Sequence, residues 1–385
     1  MPSPFNGRVA IVHDWLTGMR GGEKVLESLC RLFPQAELFT LVHRRGSVSK
    51  LIETMPLHRS IVDRLPAAGT RYRSYLPAFP FAIEQFDFDR FELVVSSSHC
   101  AAKSVVVPGR TAHVCYCHSP MRYAWDQFDA YFGPARVGAV TSSVLRRVMA
   151  GMARWDRRTA DRVDRYVANS QYVAGRIGRY YNRVASVVYP PVDTDFFTPD
   201  PARPRSHYLI VSALVPYKRV EVAIEACRML GRPLIVAGDG PDRARLEQMS
   251  GGATRFTGAI SDGEIRDLYR GATAVLLPGE EDFGIVPVEA QACGAPVIAL
   301  GRGGALETVV DGVTGVHAGA PSPLAFAQAI ERAEQMPWDA RVLRANAERF
   351  SEAAFASGMS AVVAETLQRR AVKPGAGSRE SERDA

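Results

Sequence analysis

The 385-residue sequence lacks any apolar run long enough to cross a membrane. Its uncharged, largely apolar stretches, such as 272–277 and 295–300, are six residues long, whereas a bilayer-spanning helix needs about 20. The N-terminus shows no charged segment followed by an apolar core and a small-residue cleavage site, so no signal peptide is expected. The six cysteines include no Cys-x-x-Cys pair. Cys115-Tyr-Cys117-His118 has no second ligand pair at zinc spacing. Buried, reduced strand thiols in a cytoplasmic protein are the expectation. Zinc-finger spacing, an RNA-binding aromatic signature and a Lys/Arg-rich tail are all missing, so no nucleic-acid partner is expected. The complete G-x-G-x-x-G of a dinucleotide site is missing too. Gly238-Asp-Gly240 is only a fragment of it, and the first strand runs into HDWLTGMRGG instead.

The composition is that of an ordinary globular chain, 46% hydrophobic and 23% charged, which excludes disordered and fibrous classes. Charge is uneven. The net +6 divides into +9 over residues 1–195 and −3 over 196–385, so one half is suited to an anionic partner or surface.

Strand–loop–helix units repeat along the chain. RVAIVH (8–13) reads as a strand, followed by a glycine-bearing loop and an amphipathic helix over 23–33. FELVVSSS (91–98), HVCYCHSP (113–120) and DRYVANS (164–170) read as further strands, the last running into a helix over 171–181 with Ser170 as its cap. After the proline-rich connector 198–205 the alternation restarts. YLIVSAL (208–214), PLIVAGDG (233–240), AVLLPG (274–279) and PVIALG (296–301) read as strands. Helices are expected over 219–230, 242–249, 286–293 and 325–335. This pattern predicts two parallel α/β sheets with right-handed crossovers. The fold class is therefore two Rossmann-like parallel-sheet domains facing a cleft. The expected division is 1–197, 198–350, a C-terminal helix over 351–371 that can return to the first domain, and a disordered tail over 372–385.

Several motifs carry chemistry. In PGEEDFGIVPVEAQACGAPVIA (278–299), Glu281 and Glu289 lie eight apart, and Phe283-Gly284-Ile285 forms a turn at a helix start, where backbone N–H groups favour anions. The segment resembles the E-x7-E region of the retaining family 4 glycosyltransferases of GT-B fold, bacterial mannosyltransferase-like members in particular. The same family order is seen in Gly21-Gly22, in His118 of CHSP, in ANSQYVAGRI and VVYPPVDTDFF, in LVPYKRVEVAIEA with Lys218, and in AGDGP, FTGAISDGEI and GGALETVVDGVTG. The resemblance covers about residues 8 to 360.

The resemblance implies a nucleotide-sugar donor, GDP-mannose or a UDP-sugar, and no further cofactor. His118, Glu281 and Lys218 are the implied catalytic residues. Gly22, Lys218, Arg219, Gly238, Gly258, Phe283, Gly284, Ile285 and Glu289 are the implied donor-binding residues. Ala213 stands where many members have an arginine five positions before the lysine, with Arg219 as the available substitute. A nucleotide-dependent oxidoreductase and a catalytically silent scaffold of this fold are the competing readings.

No metal site is expected. Asp87-Phe-Asp89 precedes a strand and Asp193-Thr-Asp195 lies in the connector, so both read as turn carboxylates. The acceptor is expected to be a glycan or lipid-linked sugar. Segment 141–165 carries seven arginines and three aspartates around Leu145, Val148, Met149, Met152 and Trp155, the pattern either of a helix lying on anionic lipid or of an ordinary first-domain helix with a solvated arginine face. The expected location is cytoplasmic, at the inner face of the plasma membrane.

Overall fold

The computed structural model describes residues 3–371. The expected tail, 372–385, lies outside the described residues. The chain forms two compact units. The first holds residues up to Asn169, then Val173–Val188 and the described residues from Ala356 onward. The second holds Ser170–Tyr172 and Tyr189–Phe355, so the chain changes unit within the VVYPPVDTDFF segment.

The first unit contains β1 (Val9–His13), β2 (Glu37–Thr40), β3 (Leu57–Arg59), β4 (Leu93–Ser98), β5 (Ala112–Cys117), β6 (Arg165–Ala168) and β7 (Ala185–Val187). They form one parallel sheet in the order β3-β2-β1-β4-β5-β6-β7. All five residues of β1 are buried, which explains its uninterrupted apolar run, since parallel strands are covered on both faces. The helix Gly21–Leu32 turns Val25, Leu26, Leu29 and Leu32 inward. All six cysteines are buried free thiols, with Cys115 and Cys117 inside β5.

The second unit contains β8 (His207–Val211), β9 (Leu234–Ala237), β10 (Thr254–Gly258), β11 (Ala272–Leu277), β12 (Val297–Leu300) and β13 (Gly315–Ala318). This sheet is also parallel, in the order β10-β9-β8-β11-β12-β13. Its faces feed two separate cores. Ala274 and Leu276 of β11 join one, and Val275 and Leu277 join the other. That is the period-2 alternation of a strand buried on both sides.

Among the described residues no helix is long and apolar enough to cross a membrane. The basic segment forms the helix Ala139–Arg158. Its Met149 and Met152 are buried in the first unit's core, with Val148 and Trp155 packed against it. The apolar stripe that suggested a lipid-facing helix therefore lies largely against the protein, while Arg147, Arg154, Arg157 and Arg158 are exposed.

A polar anchor holds this helix. Lys103, 1% exposed, reaches Asp156 Oδ1 at 3.0 Å, and Asp156 is itself fully buried. The lysine also donates to the Asp156 carbonyl at 2.6 Å and to Thr159 Oγ1 at 3.1 Å. Trp125 Nε1 and the Tyr181 hydroxyl donate to Asp156 Oδ2 at 2.7 and 2.9 Å. Every charge in the anchor is thus paired, the condition on which buried charges are tolerated.

Each sheet has one place where the strand order reverses. In the first unit the chain builds β1, β2 and β3 outward, then returns to lay β4 on the other side of β1. In the second it builds β8, β9 and β10, then lays β11 beside β8. Loops leaving the carboxyl ends of such neighbouring strands diverge and leave a crevice for ligands.

Candidate functional site

The switch point of the first sheet holds three histidines. His13 ends β1, His99 follows β4, and His118 follows β5. Their ring centroids are 6.1, 6.2 and 6.4 Å apart. The Ser97 hydroxyl lies between two of them, 3.0 Å from His13 Nδ1 and 2.8 Å from His118 Nε2. His99 Nδ1 lies 3.1 Å from Asp14 Oδ2. Asp14 accepts four backbone N–H bonds, from His99, Cys100, Ala101 and Ala102, at 2.6 to 2.9 Å. That carboxylate is the fastening for the loop after β4.

Burial, then the neighbouring imidazoles His99 and His13, hold the His118 pKa well below the usual histidine value. His118 is therefore neutral near pH 7. Burial lowers His99 as well, against the pull of Asp14. For Glu23 burial acts upward, but attraction to His13 and His99 outweighs it, and the pKa is net lowered. Gly22 lies at the start of the helix Gly21–Leu32; a Cβ there would stand 3.7 Å from His13 Cε1 and 3.9 Å from His118 Nε2. That is ordinary contact with the protein, so Gly22 is not required by the packing beneath it. What its lack of a side chain leaves open is the space above the two rings.

The switch point of the second sheet brings Lys218 and Glu281 together. Lys218 ends a short turn after β8, Pro216–Lys218, and Glu281 lies in the loop after β11. The Lys218 ammonium donates to Glu281 Oε1. Gly279 makes this approach feasible, because a Cβ there would fall 2.8 Å from Lys218 Cα. The helix Ile285–Ala292 begins at once, after Gly284 with φ +89°. Glu289, in its second turn and 5% exposed, accepts from the Tyr269 hydroxyl at 2.9 Å. Burial first, then Glu289, raises the Tyr269 pKa well above the usual tyrosine value, so the phenol remains a donor.

The Glu281 loop rests on Gly303-Gly304. Gly304 N donates to the Glu281 carbonyl at 2.8 Å. A Cβ at Gly304 would fall 2.3 Å from Phe283 Cα and 2.6 Å from the Asp282 carbonyl. These are backbone atoms, so the loop would have to move. A displacement of about 1 Å at a reacting group can cost about 10²-fold in rate. Gly304→Ala is accordingly expected to lower kcat/KM by about that factor while the protein remains folded, as steady-state kinetics with a thermal melt would show.

The other expected residues are placed as follows. Arg219, with φ +52°, donates to Glu221 Oε1 at 2.9 Å and to the Pro321 carbonyl at 3.3 Å, not to Glu281. Phe283 is 3% exposed, with its ring packed near Tyr189 and Phe350, so only its backbone is open to a ligand. Ile285 begins the helix. Gly238 N donates to the Gly258 carbonyl at 2.9 Å. Those two glycines stand at the ends of β9 and β10, on the far side of β8 from the Glu281 loop.

Asp87 and Asp193 accept nearby backbone N–H bonds, from Asp89 at 2.8 Å and Phe196 at 2.9 Å, as turn carboxylates do. Among the described residues no group of three or more His, Cys, Asp or Glu could hold a metal ion. A cavity of about 630 Å³, lined by Phe39, His58, Arg64, Phe86 and Arg90 among others, lies at the β3 side of the first sheet and includes none of the candidate residues.

Sequence reasoning missed His13, Ser97, Tyr269, Gly279 and the Gly303-Gly304 pair as site residues. The loop positions among them follow once the strand order is known, because strands neighbouring a switch point must bring their loops together.

Two parallel sheets, each with its polar cluster at the switch point, define a chain of two Rossmann-like α/β domains. Known proteins of this architecture make the class specific. The profile of Glycosyltransferase Family 4 matches residues 19–196, and that of Glycosyl transferases group 1 matches residues 193–354. The chain belongs to the family 4 glycosyltransferases of GT-B fold.

A D-inositol 3-phosphate glycosyltransferase of Frankia alni is 30% identical over 232 residues, 51% of this chain and 54% of the relative. A GDP-mannose-dependent alpha-(1-6)-phosphatidylinositol monomannoside mannosyltransferase of Mycolicibacterium smegmatis is 34% identical over 190 residues, 41% of this chain and 50% of the relative. The chain thus spans about half the length of these curated relatives. Among solved structures, Anabaena HepE in complex with UDP superposes with a TM-score of 0.68 at 18% identity, covering 93% of this chain and 100% of that one. Sucrose-phosphate synthase of Thermosynechococcus elongatus does so with a TM-score of 0.71 at 16% identity, covering 94% and 100%. The family matches favour neither the oxidoreductase nor the silent-scaffold reading.

Proposed function

We propose that this chain is a retaining, metal-independent glycosyltransferase that moves a hexosyl unit from a nucleotide sugar to a glycan or lipid-linked acceptor. The observation that carries the reading is the meeting of Lys218 and Glu281 at the switch point of the second sheet, beside the helix that bears Glu289. Breaking a glycosyl–phosphate bond leaves a diphosphate on which negative charge grows. A cation fixed beside that oxygen stabilises the transition state more than the ground state. Lys218 supplies the cation. Glu281 accepts from the Lys218 ammonium and turns toward the sugar when the diphosphate takes its place. Glu289, held by Tyr269, receives the ribose hydroxyls. Gly284 and Ile285 offer the N–H groups of a helix start to the phosphates.

Mannose leads among the hexoses because one relative is named as GDP-mannose-dependent. The UDP in HepE keeps UDP-sugars next in order. The exposed arginines of the helix Ala139–Arg158 suit an anionic surface carrying a lipid-linked acceptor. Six free thiols favour a reducing compartment.

With Lys218 stabilising the leaving group, turnover of the nucleotide sugar is expected to persist in EDTA. Complete loss in EDTA, restored by Mg²⁺ or Mn²⁺, would contradict the metal-free mechanism. Product anomer analysis tests retention separately.

A further inference from the structure

The chain of contacts behind His118 settles into one of two proton arrangements. Ser97 has a single hydroxyl proton and touches two imidazoles, His13 Nδ1 at 3.0 Å and His118 Nε2 at 2.8 Å. Its one proton can go to only one of them; with both rings neutral and that proton used between them, it donates to one and accepts from the other. In the first arrangement His13 Nδ1–H donates to Ser97, and Ser97 donates to His118 Nε2. His13 Nε2 is then a bare lone pair. In the second, His118 Nε2–H donates to Ser97, and Ser97 donates to His13 Nδ1. His13 then carries its proton on Nε2.

The surroundings of His13 Nε2 decide between them. That atom is fully buried and makes no hydrogen bond. Glu23 Oε1 lies 3.9 Å from it, too far for a hydrogen bond but close enough for its charge to act in a buried setting. Glu23 is itself 4% exposed, and its other oxygen accepts the Arg20 N–H at 3.1 Å. The carboxylate is therefore fixed in place and ionised at neutral pH. A lone pair facing it is repelled, and an N–H facing it is attracted. The second arrangement is favoured.

We propose that Glu23, acting through His13 and Ser97, holds His118 as its Nε2–H tautomer, so that Nδ1 is offered as a hydrogen-bond acceptor to a hydroxyl of the transferred sugar. Glu23, His13 and Ser97 are positioning residues, and only His118 touches the ligand. The tautomer follows from the contacts and the Glu23 charge; the identity of the ligand rests on the glycosyltransferase reading. The other groups around the triangle do not interrupt the chain. Asp14 serves His99 and four backbone N–H groups, and the Tyr116 ring meets His118 edge-on at 5.3 Å.

The test is a long-range ¹H–¹⁵N correlation spectrum of the full-length protein labelled with ¹⁵N-histidine at neutral pH, with the His118 signals assigned by their loss in His118→Gln. The wild-type spectrum is expected to show His118 protonated at Nε2. Glu23→Gln keeps the size and the capping bond but removes the charge. It and Ser97→Ala are each expected to shift His118 toward the Nδ1–H form. Both should lower kcat by about 10–100-fold, the range seen when an outer partner that orients an imidazole is lost, with KM changed much less. Glu23→Asp, which restores the charge, is expected to recover part of both signals.

An Nδ1–H His118 in a wild-type enzyme that turns over nucleotide sugar would overturn the relay and leave the function standing. An unchanged tautomer in both folded variants would also overturn it. An Nε2–H His118 in a protein that turns over no nucleotide sugar would overturn the sugar hydroxyl as its ligand. If either variant fails to fold, the wild-type spectrum alone still decides the tautomer.

Discussion

Lys218→Ala is expected to lower kcat by about 10²–10³-fold, the usual loss when one preorganised donor to a developing anion is removed. The ammonium is bound to Glu281, so its removal also leaves that carboxylate without its cation beside an incoming diphosphate. Both effects act on the charged transition state. Arg219 offers no rescue from its observed position, because its guanidinium is engaged by Glu221 and the Pro321 carbonyl. A loss of only a few-fold would show that Arg219 swings over or that Lys218 stands clear of the diphosphate. Glu289 should behave differently. Ribose hydroxyls change little in charge during transfer, so Glu289→Gln, which can still accept from Tyr269, is expected to raise the donor KM more than it lowers kcat. Steady-state kinetics with folding checked by thermal melt separates the two patterns.

The largest stability effect is expected at Lys103, far from any proposed chemistry. Lys103→Met leaves Asp156 buried without its cation, although Trp125 and Tyr181 still donate to it. Removing one partner of a buried ion pair typically costs about 3–5 kcal/mol, whereas replacing both partners by apolar groups is often close to neutral. The double substitution Lys103→Met with Asp156→Leu is therefore expected to regain much of the loss. Chemical denaturation monitored by circular dichroism checks this. A single-variant cost below about 1 kcal/mol, the level of an exposed pair, would mean that water reaches the site.

These two residues also mark the limits of reading the sequence. Lys218 was legible because its chemistry sits in a motif with order and spacing. Lys103, in AAKSVVV, looks like any surface lysine, and nothing local announces that Asp156, 53 positions later, will bury beside it. The strands divide along a similar line. β1, β4, β5, β6, β8, β9, β11 and β12 show themselves in the sequence because neighbours cover them in the sheet and helices cover both faces. The edge strands β3, β7, β10 and β13 were not picked out, nor was the four-residue β2. β3 and β7 contain no fully buried residue, so they carry no run for the eye to find. His13 illustrates the difficulty at the site. It ends an obvious strand, but its partner Ser97 is 84 positions away, and only the reversal in strand order makes them neighbours.

The most direct test of the central claim is incubation of the full-length protein with a panel of nucleotide sugars, GDP-mannose and UDP-glucose among them, with and without lipid extract. Released nucleoside diphosphate and the labelled sugar are followed together. Nucleoside diphosphate release from one donor is expected, matched by sugar transfer to an acceptor and reduced strongly in Lys218→Ala. Release from no donor, or release undiminished in Lys218→Ala, would contradict the central claim.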